Sequence, residues 1–239
     1  MLRRLTGPFR EFGAVAGSLY ILGRLLNALS PRLNLFVYEL TVQPIPDAPI
    51  VPDRLQKAFA IRRIMAGDPA VERMPARPEI KQSRFEQGAI CLGAYRQEVL
   101  LGYVWLCRDA YDEDEVRCRY QLAPAGRAVF DFDLYIFPEY RMGRAFVGLW
   151  NGVNGYLRDH GIEYSFSRIT RFNLASRRAH AHLGCRKVAS AIFLQAWGVE
   201  AMVATIAPFV AVTVSPASRV GLVLAPPAKA VRSGVTSPD

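Results

Sequence analysis

The sequence predicts a mixed α/β sheet domain, and three observations carry that prediction. Strand-like and helix-like segments alternate along the chain, in the order strand, helix, three strands, helix, strand, helix, strand, whereas a bundle or sandwich would repeat one period. The segments stop at residues that break regular structure, among them Pro44, Gly67, Pro138, Gly161 and Gly184. At 239 residues, 51% of them hydrophobic, the chain can bury one substantial core and carry extra segments.

The first 34 residues stand apart. Val15, Leu19, Leu22, Leu26 and Leu29 recur at three- and four-residue steps within residues 12–29, widened by Ile21 and Leu25, and Arg3, Arg4, Arg10, Arg24 and Arg32 punctuate the segment. That pattern predicts a basic amphipathic helix, packed on the domain or lying on an anionic membrane. Its uncharged stretch, residues 13–23, is too short to cross a bilayer, and residues 27–29 make a poor signal-cleavage site.

Residues 35–43, rich in β-branched and aromatic side chains, predict the first strand. Asp53 is placed to cap a helix to about residue 66, with Leu55, Ala58, Phe59, Arg62 and Arg63 at helical spacing. Strands are expected over 89–95 and 99–107, followed by a solvated acidic loop at 109–115. Over 127–137 the alternation puts Phe130, Phe132, Leu134 and Ile136 on one face and Asp131, Asp133 and Tyr135 on the other. A helix over 143–159, a strand over 163–170 and a helix over 174–183 follow, then a strand pair across 187–197. Residues 201–218 carry no charge but contain Pro208 and Pro216, so a last strand with a packing loop is expected rather than a membrane span. The domain then covers 35–200, an apolar segment 201–225 and a disordered tail 226–239.

The formal charge of +9, from 30 Lys and Arg against 21 Asp and Glu, favours anionic partners. The basic residues are scattered and no zinc-finger or RNA-binding motif occurs, so nucleic acid is not an expected partner. Cys91, Cys107, Cys118 and Cys185 form no C-x-x-C pair, which predicts free buried thiols in a reducing compartment and no metal.

Two motifs carry chemistry. In the first, a strand runs into Tyr140-Arg141-Met142-Gly143-Arg144-Ala145 and then a helix, so that backbone N–H groups at the helix start can cradle a pyrophosphate, with Arg141 and Arg144 adding charge. The second lies about 30 residues on and runs from Asn173 through a helix to Leu183-Gly184-Cys185. In order and spacing this pair, across residues 88–197, resembles the GNAT acyltransferase superfamily, although Tyr140 stands where Gln or Arg is usual and Cys185 replaces a phenylalanine.

The resemblance implies a mixed, mostly antiparallel sheet flanked by helices, binding acyl-CoA or acetyl-CoA, or an acyl-carrier protein as donor. The pantetheine arm would pair with the strand end at Leu134, Ile136 and Phe137. The pyrophosphate would lie on the turn of Arg141, Met142, Gly143, Arg144, Ala145 and Phe146, with Asn173 and Ser176 flanking the cofactor. The reaction it implies is direct attack of a neutral amine on the thioester, which needs a base and an acid for the leaving thiolate. His180 occupies the position of the family's acid, Tyr135 is a second donor, and Asp133, ahead of Asp131, is the expected base. With the basic N-terminal helix, the outline is also similar to bacterial ceramide synthases, implying a lipid amine acceptor such as a sphingoid base and a cytoplasmic protein peripheral to the membrane's inner face. A soluble N-acetyltransferase of a small amine or amino acid, and a non-catalytic CoA-binding protein, are the alternatives.

Overall fold

The structure is a computed structural model that describes residues 2–141 and 143–227; Met142 and all but the first two residues of the expected tail lie outside them. Two N-terminal helices, α1 (Leu2–Phe12) and α2 (Ala14–Leu29), replace the one helix expected from residue 12. Gly13, at φ 83°, breaks the run, a backbone state open to glycine without steric cost.

Nine strands form the main sheet: β1 (Leu33–Pro44), β2 (Ala60–Ile64), β3 (Ile90–Arg96), β4 (Val99–Arg108), β7 (Ala128–Ile136), β8 (Tyr164–Thr170), β9 (Arg186–Ala196), β10 (Val199–Ala204) and β11 (Val210–Thr213). Their order is β11-β10-β9-β1-β8-β7-β4-β3-β2. Every neighbouring pair is antiparallel except β7 and β8, which are joined through α5 (Ala145–Asp159) in a β-α-β crossover. A second sheet of β5 (Ala110–Asp112), β6 (Cys118–Leu122) and β12 (Val220–Leu224) lies against one face of the first.

The core has two layers. On one face Tyr38, Trp105, Phe130, Phe166 and Phe193 pack with Tyr111, Tyr120 and Leu222 of the small sheet and with Phe85 of α4 (Pro78–Glu86). On the other, Leu149, Trp150, Val153 and Leu157 of α5 cover Leu92, Val104, Leu106 and Val129. α5 approaches closely: a Cβ on Gly148 would meet the Phe59 ring at 2.5 Å, and one on Gly152 would meet Ile61 Cγ1 at 2.0 Å.

Several expectations are corrected. The helix expected over 53–66 is one turn, α3 (Asp53–Gln56), followed by β2, because Ala60 to Ile64 complete the sheet edge against β3. The acidic stretch 109–115 is not merely solvated: it contains β5, and Glu113 is buried against Arg168. The strand pair expected across 187–197 is the single strand β9, which pairs with β1 and β10. α4 and β6 were not expected at all. Finally, the segment 201–225 is woven into both sheets, with β10 crossing residue 200.

Candidate active site

The parallel pairing of β7 with β8 stops at Asp131 opposite Ser167, although both strands continue. β7 departs because it carries a bulge. Against β4, Tyr135 faces Tyr103 and Phe132 faces Trp105, so β7 spends one residue more than its neighbour. Asp133 sits there at φ 45°. A bulge bends its strand and re-aims the side chains beyond it. Residues 134–136 therefore keep β4 on one edge and have no β8 partner on the other. A cavity of about 580 Å³ occupies the opening, lined by residues 131–136 of β7, residues 167–170 of β8, Arg141, Phe146 of α5, and Asn173, Ser176 and His180 of α6 (Leu174–His182).

The bulge also overturns the predicted faces. Phe130 and Phe132 lie in the aromatic layer, but Leu134 and Ile136 lie in the α5 layer. The two aspartates likewise part company. Asp133 forms an ion pair with Arg84 of α4, which stands over the rings of Trp105 and Phe132 in the aromatic layer. Asp131, one strand period away, is buried beside β8, where Ser165 Oγ donates to its carboxylate at 2.6 Å. The alternation assumed two residues per repeat throughout; the inserted residue breaks it.

These environments set different acidities. Burial drives Asp131 from its ordinary 3.8 up to about 6, opposed by the charge of His180 and by hydrogen bonds from Ser165 and Ser167. Burial also raises Asp133, with the Arg84 guanidinium pulling it back. Asp133 faces a second, charged pocket of about 420 Å³ that includes Arg77, Arg84, Asp114, Glu115 and Arg168.

His180 is buried rather than solvent-facing, 6% exposed, with its ring edge-on to Trp150 at 6.0 Å. Its Nδ1 lies 2.8 Å from the Ser176 carbonyl oxygen. A carbonyl only accepts, so Nδ1 is the nitrogen that carries a proton and donates to it. Asn173 caps α6, its Oδ1 accepting from Ser176 N–H at 3.0 Å.

The turn before α5 meets the helix with no side-chain cap, leaving first-turn N–H groups and the positive helix end for an anion. The structure separates its two arginines. Arg141 folds back, its Nε donating to the Ile136 carbonyl at 2.9 Å and its guanidinium 5.2 Å from the Tyr135 ring centre. Arg144 instead joins Arg54 and Arg96 at a cavity of about 840 Å³ on the other side of the turn. That larger cavity holds neither the strand opening nor an aspartate and histidine together.

Of the residues singled out in the sequence, Asp133, Leu134, Tyr135, Ile136, Arg141, Phe146, Asn173, Ser176 and His180 line one cavity. Gly143, Arg144 and Ala145 border the other. Phe137 turns into the aromatic layer under Arg73. Arg84, Asp114 and Arg168 were missed: α4 carries no legible helical stripe, and Arg168 reads as an ordinary exposed strand residue. Among the described residues, no group of His, Cys, Asp and Glu is arranged to hold a metal.

No protein-family profile matches the sequence, and no curated protein does. Solved structures do. A conserved protein of unknown function from Staphylococcus epidermidis matches at 13% identity and a TM-score of 0.46, over 73% of this chain and 66% of its own. A protein assigned to the GNAT-family acetyltransferases from Novosphingobium aromaticivorans also gives 13% and 0.46, over 68% and 66%. The protein yncA from Salmonella typhimurium, assigned as an acetyltransferase and determined with acetyl-CoA, gives 19% and 0.38, over 53% and 79%. The chain spans just under two thirds of the length of each of the first two.

Proposed function

We propose that the chain is an N-acyltransferase that moves an acyl group from acyl-CoA to an amine. The observation that carries this reading is the opening between β7 and β8, where strand backbone without a partner borders a cavity holding a buried aspartate and histidine. The pantetheine arm adds to the edge of residues 134–137 that β8 leaves unpaired, beside the Ile136 carbonyl held by Arg141, and the pyrophosphate lies on the uncapped start of α5 at Gly143, Ala145 and Phe146. Arg141 and Arg144 supply positive charge there, and Asn173 and Ser176 border the arm from α6.

In the reaction the amine nitrogen bonds to the thioester carbonyl carbon, and the carbon–sulfur bond breaks. Asp133, at the charged pocket, takes the amine proton, and His180 Nε2 gives a proton to the leaving thiolate, with Tyr135 the reserve donor. Asp131 borders the same cavity, where the charge of His180 and hydrogen bonds from Ser165 and Ser167 favour its ionised form against burial.

The acceptor is read as an amine on a membrane lipid of the sphingoid-base type, met at the inner membrane face through residues 1–34; the exposed apolar residues Val15, Leu22, Leu25 and Leu29 of α2 support it. No helix among the described residues is long and apolar enough to cross a membrane. The charged pocket around Arg84 and Asp133 favours a second reading, a small soluble amine such as an amino acid.

The test is thermal unfolding with CoA, acetyl-CoA and palmitoyl-CoA, the last below its micelle concentration. A ligand at a hundredfold excess over its Kd raises the midpoint by about 5–10 °C. The largest rise is expected with palmitoyl-CoA; equal rises with acetyl-CoA establish the small-amine reading, and no rise with any of them refutes acyl-CoA as donor.

A further inference from the structure

On the α5 side the main sheet is only partly covered. α2 stands over β1, where a Cβ on Gly23 would lie 3.5 Å from that of Leu35. Paired residues share a sheet face, so two rows continue outward from β1: Leu35, Leu194, Ala201 and Val212, then Val37, Ile192, Val203 and Val210. Past α2 these rows lie open, with Val210 67% and Val212 61% exposed. α2 itself buries Ala16 and Gly17, the latter against Phe9 of α1, and leaves Val15, Leu22, Leu25 and Leu29 in solvent. α2 over β1 and the strand rows beside it thus both carry exposed apolar side chains, and clustered exposed apolar groups mark interaction sites.

Charge identifies the occupant. Residues 7–32 and 186–214, which build this surface, contain five arginines and lysines and two carboxylates, Glu11 and Glu200. Glu200 is buried toward the other face, where it accepts from the Arg117 N–H at 2.7 Å. A second copy related by a two-fold axis would bring like charges together at the rim, whereas anionic head groups neutralise them. Trp197, exposed at the β9–β10 turn, adds the amphipathic ring that favours a membrane interface.

We propose that α2 and the open face of β9, β10 and β11 together dock the chain on an anionic phospholipid surface. This rests on the reading of the N-terminal helices as membrane-facing and extends it to strands which that reading leaves out. The surface adjoins the cavity: Phe172, next to Asn173 at the rim, packs against Phe12 at 5.3 Å and Tyr20 at 5.2 Å.

The experiment is sedimentation of the full chain with vesicles of equal parts phosphatidylglycerol and phosphatidylcholine, with phosphatidylcholine alone as the neutral reference. It compares wild type with Val210→Glu/Val212→Glu and Leu22→Glu/Leu25→Glu, each checked for an unchanged melting curve. Each double variant is expected to lower the partition coefficient by at least about tenfold, since two valines or leucines no longer leave water, and neutral vesicles bind weakly. Wild-type binding by the Val210/Val212 variant overturns this inference and leaves the helix reading intact. Wild-type binding by the Leu22/Leu25 variant overturns the helix reading. No binding by wild type overturns both. A dimer in vesicle-free sedimentation, lost in the Val210/Val212 variant, also overturns the inference and makes a second copy the occupant.

Discussion

Asp131 and Asp133 are two residues apart and do different things, because one inserted residue turns them to opposite faces of β7. Asp131 is the group whose ionisation the fold changes most legibly. Between about pH 4 and 6 the folded chain holds a proton on Asp131 that the unfolded chain has released. Its contribution to stability therefore declines as pH rises through that window and is flat above it. Urea unfolding across this range is expected to show that decline in wild type and to lose it in Asp131→Asn. At His180, replacement by alanine is expected to lower kcat by about 10²-fold or more while leaving the midpoint shift by CoA intact, because removing a general acid affects the chemical step rather than cofactor binding. Unchanged turnover in His180→Ala would instead assign the acid to another group, such as Tyr135.

At the scale of the element, α5 touches both cavities, with Ala145 at one and Phe146 at the other, and its body packs against β2 and β3. Gly152 allows that approach, since Ile61 occupies the space a side chain would need. Gly152→Val is expected to destabilise the fold by about 1–3 kcal/mol, the usual cost of forcing extra carbons into a packed core, measured by urea unfolding. A shift of less than a few tenths of a kcal/mol would show that α5 can move away from β2 freely. The bulge in β7 has a similar structural anchor: a Cβ at Gly102 of β4 would meet the Tyr135 carbonyl oxygen at 2.6 Å, so the strand beyond the bulge crosses β4 where only glycine leaves room.

Taken whole, the molecule is closed by its C-terminal strands rather than trailed by them. β12 runs parallel to β6 and buries Val220, Leu222 and Leu224 over the aromatic layer. Truncation after Ser218 is expected to cost at least about 5 kcal/mol, from three large side chains leaving the core, and so to abolish cooperative thermal unfolding. A truncated chain that melts like the full one would mean that β5 and β6 form a stable cover alone.

The local signals were strongest where a period ran long between clear stops. Residues 127–137, 143–159, 163–170 and 174–183 correspond to β7, α5, β8 and α6 within two residues at each end, because pattern, glycine and proline agree there. The residues bordering the cavity follow from those elements and their order. Short or edge elements were not legible: β2, β5 and β6 are five residues or fewer, too short to establish a period, and their state comes from neighbours distant in sequence. The sequence by itself determined the strand–turn–helix start of α5, the cap and histidine of α6, and the alternation that builds the sheet. Only tertiary structure decided which aspartate is buried beside Ser165 of β8 and which pairs with Arg84. A bulge is a mismatch between two strands, β4 and β7, and no property of either strand alone records it.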